Sequence, residues 1–129
     1  MFRSTFAVLV GYLVISAGVM GFTLASAPLV ESPPGPGYSL INLAVSLGVV
    51  VFAGFLTATF AGRAPILHAG ILGGILFVLG VGYQLAQLLG LLQPGSASTE
   101  PLWYLLLLPI LSLPAALVGG FLRQRQLER

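Results

Sequence analysis

The sequence predicts an all-α membrane protein of four transmembrane helices, arranged as two antiparallel hairpins with the N and C termini both cytoplasmic. Hydrophobic residues make up 57% of the chain and charged residues 6%, whereas about a quarter of the residues in ordinary soluble domains are charged. The apolar residues are gathered into four long runs, and the arginines flank those runs. We therefore expect residues 1–129 to form a single membrane domain.

Each apolar run has the length that a bilayer requires. A hydrocarbon core about 30 Å thick is crossed by about 20 helical residues. The longer segments between the runs are rich in proline, glycine and serine, which is typical of loops. The predicted spans are residues 5–24, 40–60, 66–89 and 102–122.

The first run also has features of a secretory signal peptide. Arg3 precedes it, and the small residues Ala25, Ser26 and Ala27 follow it. Its length of about 20 residues exceeds the usual apolar region of about 7–15 residues. We expect it to be retained as a span, with cleavage near residue 27 as the alternative.

The second and third runs are joined by the short segment AGRAP (61–65). Short connections favour antiparallel neighbours. Gly62 suits the end of the second helix, where a positive φ is required, and Pro65 suits the first turn of the third. These two spans are therefore expected to form a tight hairpin.

The fourth run contains Pro109 and Pro114, and Pro101 lies at its start. A proline inside a helix removes a hydrogen bond and tends to kink the helix. Ser98 or Thr99 is expected to cap the helix. We expect a bent helix, in which a static kink is favoured over a hinge or a cavity.

The arginines set the predicted orientation. They lie before the first run, between the second and third, and after the fourth, and four spans place these positions on one side. Glu31 and Glu100 lie in the other two loops. Because positive residues near span ends are retained in the cytoplasm, both termini are predicted to be cytoplasmic. The topology residues are Arg3, Arg63, Arg123, Arg125 and Arg129.

Small residues at four-residue spacing are the predicted helix contacts. In lipid, burial of apolar surface adds little to helix association, so close approach of backbones at small residues must drive it. A spacing of four places such residues on one helix face. The predicted packing positions are Gly54, Ala58, Gly62, Gly70, Gly74, Gly119 and Gly120.

The sequence offers no catalytic constellation. The predicted spans contain no Asp, Glu, Lys or Arg, and the chain has no cysteine. Ion-coupled transporters and proton relays usually place an ionisable group in the membrane. One histidine and three glutamates cannot assemble a metal cluster or a nucleophile with its base. We expect neither an enzyme nor a metal site, and the absence of a basic cluster argues against a nucleic-acid partner.

His68, the only histidine, is the candidate cofactor ligand. It lies about one turn into the third span, near the cytoplasmic end. Its imidazole is able to ligate a haem or chlorophyll, or to hydrogen-bond a quinone. The favoured alternative is an interfacial histidine bonded to a carbonyl, a headgroup or a water near Arg63. The sequence itself requires no cofactor.

A polar patch is predicted near the outer interface. Tyr83 and Gln87 share a helix face at i, i+4, and Gln84 and Gln87 are neighbours at i, i+3. Asn42 begins the second span at the same level. Interhelical amide bonds contribute about 0.6 to 2 kcal/mol in membranes, so the favoured role is to fix helix register, with a quinone or lipid headgroup pocket as the alternative.

One segment resembles a known group of proteins. The stretch AGFLTATFAGRAPILHAGILGGIL (53–76) has a glycine-rich second helix that ends in a basic turn, followed by a third helix beginning with His68 and Ala69. It resembles uncharacterised small bacterial four-span integral membrane proteins. The resemblance implies this architecture, and we expect the protein to lie in a bacterial cytoplasmic (inner) membrane.

Three functions are compatible with these features. The first is a non-enzymatic accessory or assembly subunit of a larger membrane complex that acts through helix contacts. Its partners would be the lipid bilayer and other membrane subunits, or further copies of itself. The alternatives are a pigment-, haem- or quinone-associated subunit that uses His68, and a small oligomeric channel or transporter.

Overall fold

The computed structural model describes residues 2–29, 35–92 and 100–129, and no strand occurs in these ranges. Each of the four helices is long and apolar enough to cross a membrane. The predicted all-helical membrane protein with four candidate spans is thus confirmed. The helices are α1 (Phe2–Ser26), α2 (Pro36–Ala61), α3 (Pro65–Leu88) and α4 (Leu102–Leu127), with a 3₁₀ turn at Ala27–Leu29.

Two helix ends differ from the predicted spans by four residues or more. α2 begins at Pro36 rather than at residue 40, because proline has the φ of a first helical turn and lacks an N–H that would otherwise be unpaired there. α4 continues to Leu127 rather than ending at residue 122. The polar tail therefore extends the fourth helix beyond its apolar part. The predicted caps Ser98 and Thr99 lie outside the described residues.

The connection between α2 and α3 uses two residues in the left-handed region. Gly62, which follows α2, has a φ of 72°, as expected for a helix end. Ala64 has a φ of 46° and a ψ of 61°, and Pro65 then opens α3. A non-glycine residue in this region costs on the order of 1–2 kcal/mol. The surrounding packing must therefore hold this turn in place.

α4 and α2 cross where their backbones touch. A Cβ atom added at Gly54 would lie 2.9 Å from Ala116 Cα, and one added at Gly119 would lie 2.6 Å from the Phe55 nitrogen. Any side chain larger than hydrogen would push the two helices apart at these points. Such close approach of backbones is a main source of helix association in lipid.

α3 packs against another side of α4. A Cβ atom added at Gly73 would lie 2.9 Å from Leu113 Cα, and one added at Gly80 would lie 2.5 Å from Pro109 Cβ. The contacting residues follow one another in opposite order along α3 and α4, and in the same order along α2 and α4. α4 thus lies in contact with both α2 and α3.

α1 packs mainly against α2. Gly11 meets the Thr57 side chain, and a Cβ atom added at Gly18 would lie 2.7 Å from Val49 Cγ1. Contact between α1 and α3 is sparse by comparison. The buried core contains residues of all four helices, namely Ile15, Val50, Ala53, Leu72 and Ala116.

α4 is one continuous helix through both of its internal prolines. The Ser112 hydroxyl donates a hydrogen bond to the Pro109 carbonyl at 2.7 Å. A cavity of about 130 Å³, lined by all four helices, lies beside Pro109. The segment around Pro109 therefore borders a cavity, and the bend expected in α4 stays a prediction.

Candidate functional site

The structure gathers the arginine-bearing segments at one end of the bundle, called here the basic end. The Arg3 Nη2 atom lies 3.5 Å from the position of a Cβ atom added at Gly62, so the start of α1 meets the end of α2. A Cβ atom added at Gly120 would lie 3.3 Å from Ile66 Cα, so α4 reaches the start of α3. The segments that meet at this end carry Arg3, Arg63, Arg123, Arg125 and Arg129.

A polar cleft lies at the basic end and has a volume of about 460 Å³. Two guanidinium groups, an imidazole and a hydroxyl line it, and its described lining contains no carboxylate. These groups come from α1, from the turn after α2, and from α3. The basic cleft is defined by Arg3, Ser4, Arg63 and His68, together with Ala61 and Gly62.

His68 lies at the inner edge of this cleft and is 9% exposed. Its Nδ1 atom lies 3.0 Å from the Ala64 carbonyl oxygen. A carbonyl oxygen only accepts hydrogen bonds, so Nδ1 carries the proton and donates it. In the neutral imidazole, Nε2 is then the acceptor and the atom through which His68 is able to bind a ligand.

An apolar groove of about 350 Å³ runs between α1 and α3. It exists because these two helices touch only sparsely. Ser4 and His68 line both the groove and the basic cleft, so the two cavities are adjacent. The α1–α3 groove is defined by Ser4, Thr5, Val8, Leu9, His68, Ile71 and Ile75.

The opposite end of the bundle contains a carboxylate with partners inside the chain. The Ser39 hydroxyl donates to Glu100 Oε2 at 2.6 Å, and Asn42 Nδ2 donates to Glu100 Oε1 at 3.3 Å. The Ser46 hydroxyl donates to Asn42 Oδ1 at 3.3 Å. These four residues, called here the acidic network, join the start of α4 to one face of α2.

Sequence reasoning missed Glu100 as a member of an interior network, because it was assigned to a loop. A signal was present in α2, where Ser39, Asn42 and Ser46 recur at the spacing of one helix face. A polar stripe on an otherwise apolar helix needs a partner when it is buried. All three side chains are buried.

Aromatic side chains surround the acidic network. Tyr104 is only 5% exposed, and its hydroxyl interacts with Ser46. The Trp103 ring packs edge-on against Tyr104 with 6.2 Å between centroids. The Tyr38 hydroxyl lies 2.8 Å from the Ser26 hydroxyl and so ties α2 to α1.

The predicted polar patch is divided between two places. Gln87 Nε2 donates to the Tyr83 hydroxyl at 2.8 Å, and Tyr83 and Gln84 line one cleft. Asn42 instead bonds to Glu100 on the buried face of α2. The reason is that α4 contacts both α2 and α3, so the polar face of α2 is turned towards α4.

Several of the predicted packing positions lie in close contacts. Gly54 and Gly119 lie where α2 and α4 cross. Ala58 is also buried, with 2% of its surface exposed. A Cβ atom added at Gly120 would lie 2.6 Å from Ala69 Cβ, and one added at Gly70 would lie 3.3 Å from Leu117 Cδ2. Gly70 therefore tolerates a small side chain better than the others.

Two predicted packing positions are placed differently. A Cβ atom added at Gly74 would meet no atom within 4 Å, whereas its neighbour Gly73 contacts α4. Gly62 is exposed and reverses the chain after α2. The contact face of α3 thus includes Gly70, Gly73 and Gly80 and leaves Gly74 outside it.

A scan against models of protein families matches none, and searches of curated proteins and of solved structures also match none. Among the described residues, no group of three His, Cys, Asp or Glu side chains is placed to hold a metal ion.

Proposed function

We propose that this chain is a non-enzymatic integral membrane protein that acts through helix contacts, as an accessory or assembly subunit of a larger membrane complex. The uncovered face of α3 carries this proposal. Cβ atoms added at Gly74 and Gly82 would meet no atom within 4 Å, and Val78 between them is 66% exposed. In lipid, small residues left uncovered allow a further helix to approach closely.

The distribution of charge supports the predicted threading as two antiparallel hairpins. The arginine-bearing segments meet at the basic end, and Glu100 lies at the opposite end. By the positive-inside rule, we place the basic end and both termini in the cytoplasm. The resemblance of residues 53–76 to small bacterial membrane proteins supports a location in a bacterial inner membrane.

The test is the mass of the full chain, extracted from its native membrane in mild detergent. We expect a complex with other membrane subunits. Gly82→Leu should release the chain from it without unfolding the bundle, because the new side chain occupies the contact face. Gly21→Leu is the matched control, since a Cβ atom at Gly21 also meets no atom within 4 Å but lies on α1.

Three results would contradict the proposal. A stable lone monomer would show that no helix partner exists. A closed homo-oligomer with ion conductance would support the channel alternative instead. Equal loss of the complex in Gly82→Leu and Gly21→Leu would show that the uncovered face of α3 has no special role.

His68 favours one second candidate, a pigment-, haem- or quinone-associated subunit. Histidines that bind metals almost always donate the other ring N–H to a carbonyl, carboxylate or water, as His68 does to Ala64. An absorption spectrum and a lipid extract of the gently purified protein test this function. A colourless and quinone-free preparation would exclude it.

A further inference from the structure

The basic cleft and the α1–α3 groove together have the two parts of a lipid site. The cleft has cationic groups, the groove has apolar walls, and Ser4 and His68 lie at their junction. We propose that one anionic phospholipid binds here, with its phosphate at Arg3 and Arg63 and one acyl chain in the groove.

Charge identifies the headgroup as anionic. Arg3 and Arg63 come from different segments, and the described lining between them holds no carboxylate. Of the described acids, Glu100 lies at the opposite end, and Glu128 accepts a hydrogen bond from Gln124 at 2.9 Å. Guanidinium groups match phosphate oxygens in charge and geometry. A phosphodiester between them would neutralise charge that the cleft itself leaves unbalanced.

The imidazole adds a preference among anionic headgroups. Because Nδ1 of His68 donates to the Ala64 carbonyl, Nε2 accepts hydrogen bonds in the neutral ring. A headgroup with a hydroxyl, such as glycerol, offers the matching donor. The site is therefore expected to prefer phosphatidylglycerol to phosphatidylmethanol of the same chain length, which is a phosphodiester of the same charge without a headgroup hydroxyl.

The groove accounts for the acyl chain. His68 and Ile75 are seven residues apart on α3, which is about 10 Å along the helix at 1.5 Å per residue. The walls over this distance are apolar, with Val8 and Leu9 facing the groove from α1. Basic pockets between helices near the cytoplasmic surface are known places for anionic headgroups. Here the basic cleft adjoins the α1–α3 groove, which is apolar and has a volume of about 350 Å³.

Native mass spectrometry of the full-length chain in mild detergent tests the headgroup. Dioleoyl phosphatidylglycerol is titrated against dioleoyl phosphatidylcholine and dioleoyl phosphatidylmethanol, and one phosphatidylglycerol per chain should be retained preferentially. Arg3→Gln and Arg63→Gln should each weaken its binding about fivefold, since one basic residue near a surface contributes about a factor of this size. Arg129→Gln, which removes the same charge outside the cleft, should leave binding within about twofold.

Two further measurements test the groove. Ile71→Trp fills it and should weaken dioleoyl phosphatidylglycerol but not the short-chain dihexanoyl form. Leu88→Trp, on the same helix but outside both the groove and the uncovered face of α3, is its control, since Leu88 is exposed. Circular dichroism and a monodisperse elution profile should match the wild type for every variant that is compared.

Several outcomes would overturn the lipid site. Equal weakening by Arg3→Gln, Arg63→Gln and Arg129→Gln would indicate only diffuse attraction to the basic end. Competition by inorganic phosphate, or equal binding of the dihexanoyl and dioleoyl lipids, would indicate an anion site without an acyl groove. A quinone in the lipid extract that Ile71→Trp removes would assign the groove to a different occupant.

Discussion

At one end of the bundle the Glu100 carboxylate accepts hydrogen bonds from Ser39 and Asn42 of α2, whereas at the other end Arg3 and Arg63 line a cleft whose described walls hold no carboxylate. Charge at the first end joins two helices of the same chain. At the second end the described walls of the cleft offer the guanidinium groups no carboxylate. The two ends of one small bundle thus differ in whether the chain itself supplies the partner of a charged group.

The two ends differ because the Glu100 carboxylate and the arginine guanidinium groups lose different amounts of hydration on folding. A partly buried carboxylate loses hydration and needs donors in return, which Ser39 and Asn42 provide. An arginine near the membrane surface keeps its charged group in water by extending its side chain. Arg3 and Arg63 are exposed and therefore need no partner within the chain, whereas Glu100 in the acidic network does.

The largest expected effect comes from separating α2 and α4, on which the geometry of both ends depends. Gly119→Leu places a side chain against the backbone at Val51 and Phe55, and we expect a loss of about 3 kcal/mol in unfolding free energy. Unfolding in mixed mild and denaturing detergent, followed by circular dichroism, measures it. Gly82→Leu, where no atom lies within 4 Å, should change stability by less than about 0.5 kcal/mol. Similar losses in both variants would contradict the α2–α4 crossing.

An intermediate effect is expected at the acidic network. Glu100→Ala leaves Ser39 and Asn42 buried without their acceptor and should cost about 2 kcal/mol. Fluorescence of Trp103, the only tryptophan, reports unfolding of this end because its ring packs against Tyr104. Glu128→Ala removes a carboxylate from the exposed tail and should cost less than about 0.5 kcal/mol. Equal stability of the two variants would remove the contrast between the ends.

The smallest effect on stability is expected at the basic end. The double variant Arg3→Gln with Arg63→Gln should change the unfolding free energy in lipid-free detergent by less than about 0.5 kcal/mol. Added phosphatidylglycerol should then stabilise the wild type more than the variant, because a ligand stabilises only the state that binds it. A loss in lipid-free detergent as large as that of Glu100→Ala would show that these arginines serve an internal role.

The lengths of the spans could be predicted from the sequence because bilayer thickness sets them. The rotation of each helix about its axis could not, since helices that are apolar on every side carry no clear amphipathic signal. This is why Gly74 was predicted as the packing position, whereas its neighbour Gly73 contacts α4. Neighbouring residues point about 100° apart around a helix axis.

The candidate site could be predicted only in part. His68 and Arg63 belong to residue types that are rare in this chain, and both line the basic cleft. The contribution of Ser4 depends on how α1 meets α3, which no local pattern specifies. The bond between Asn42 and Glu100 joins residues 58 positions apart. It follows from the position of α4, and hydropathy does not encode that position.

The position of α4 also has a consequence for biogenesis. During synthesis the chain emerges from its N terminus, so α1, α2 and α3 enter the membrane before α4 does. Gly54 and Gly73, which α4 covers in the finished bundle, then face lipid or an insertion factor. The bundle cannot complete its packing until its last described helix arrives. The contacts that α4 makes with Gly54 and Gly73 are therefore among the last to form during synthesis.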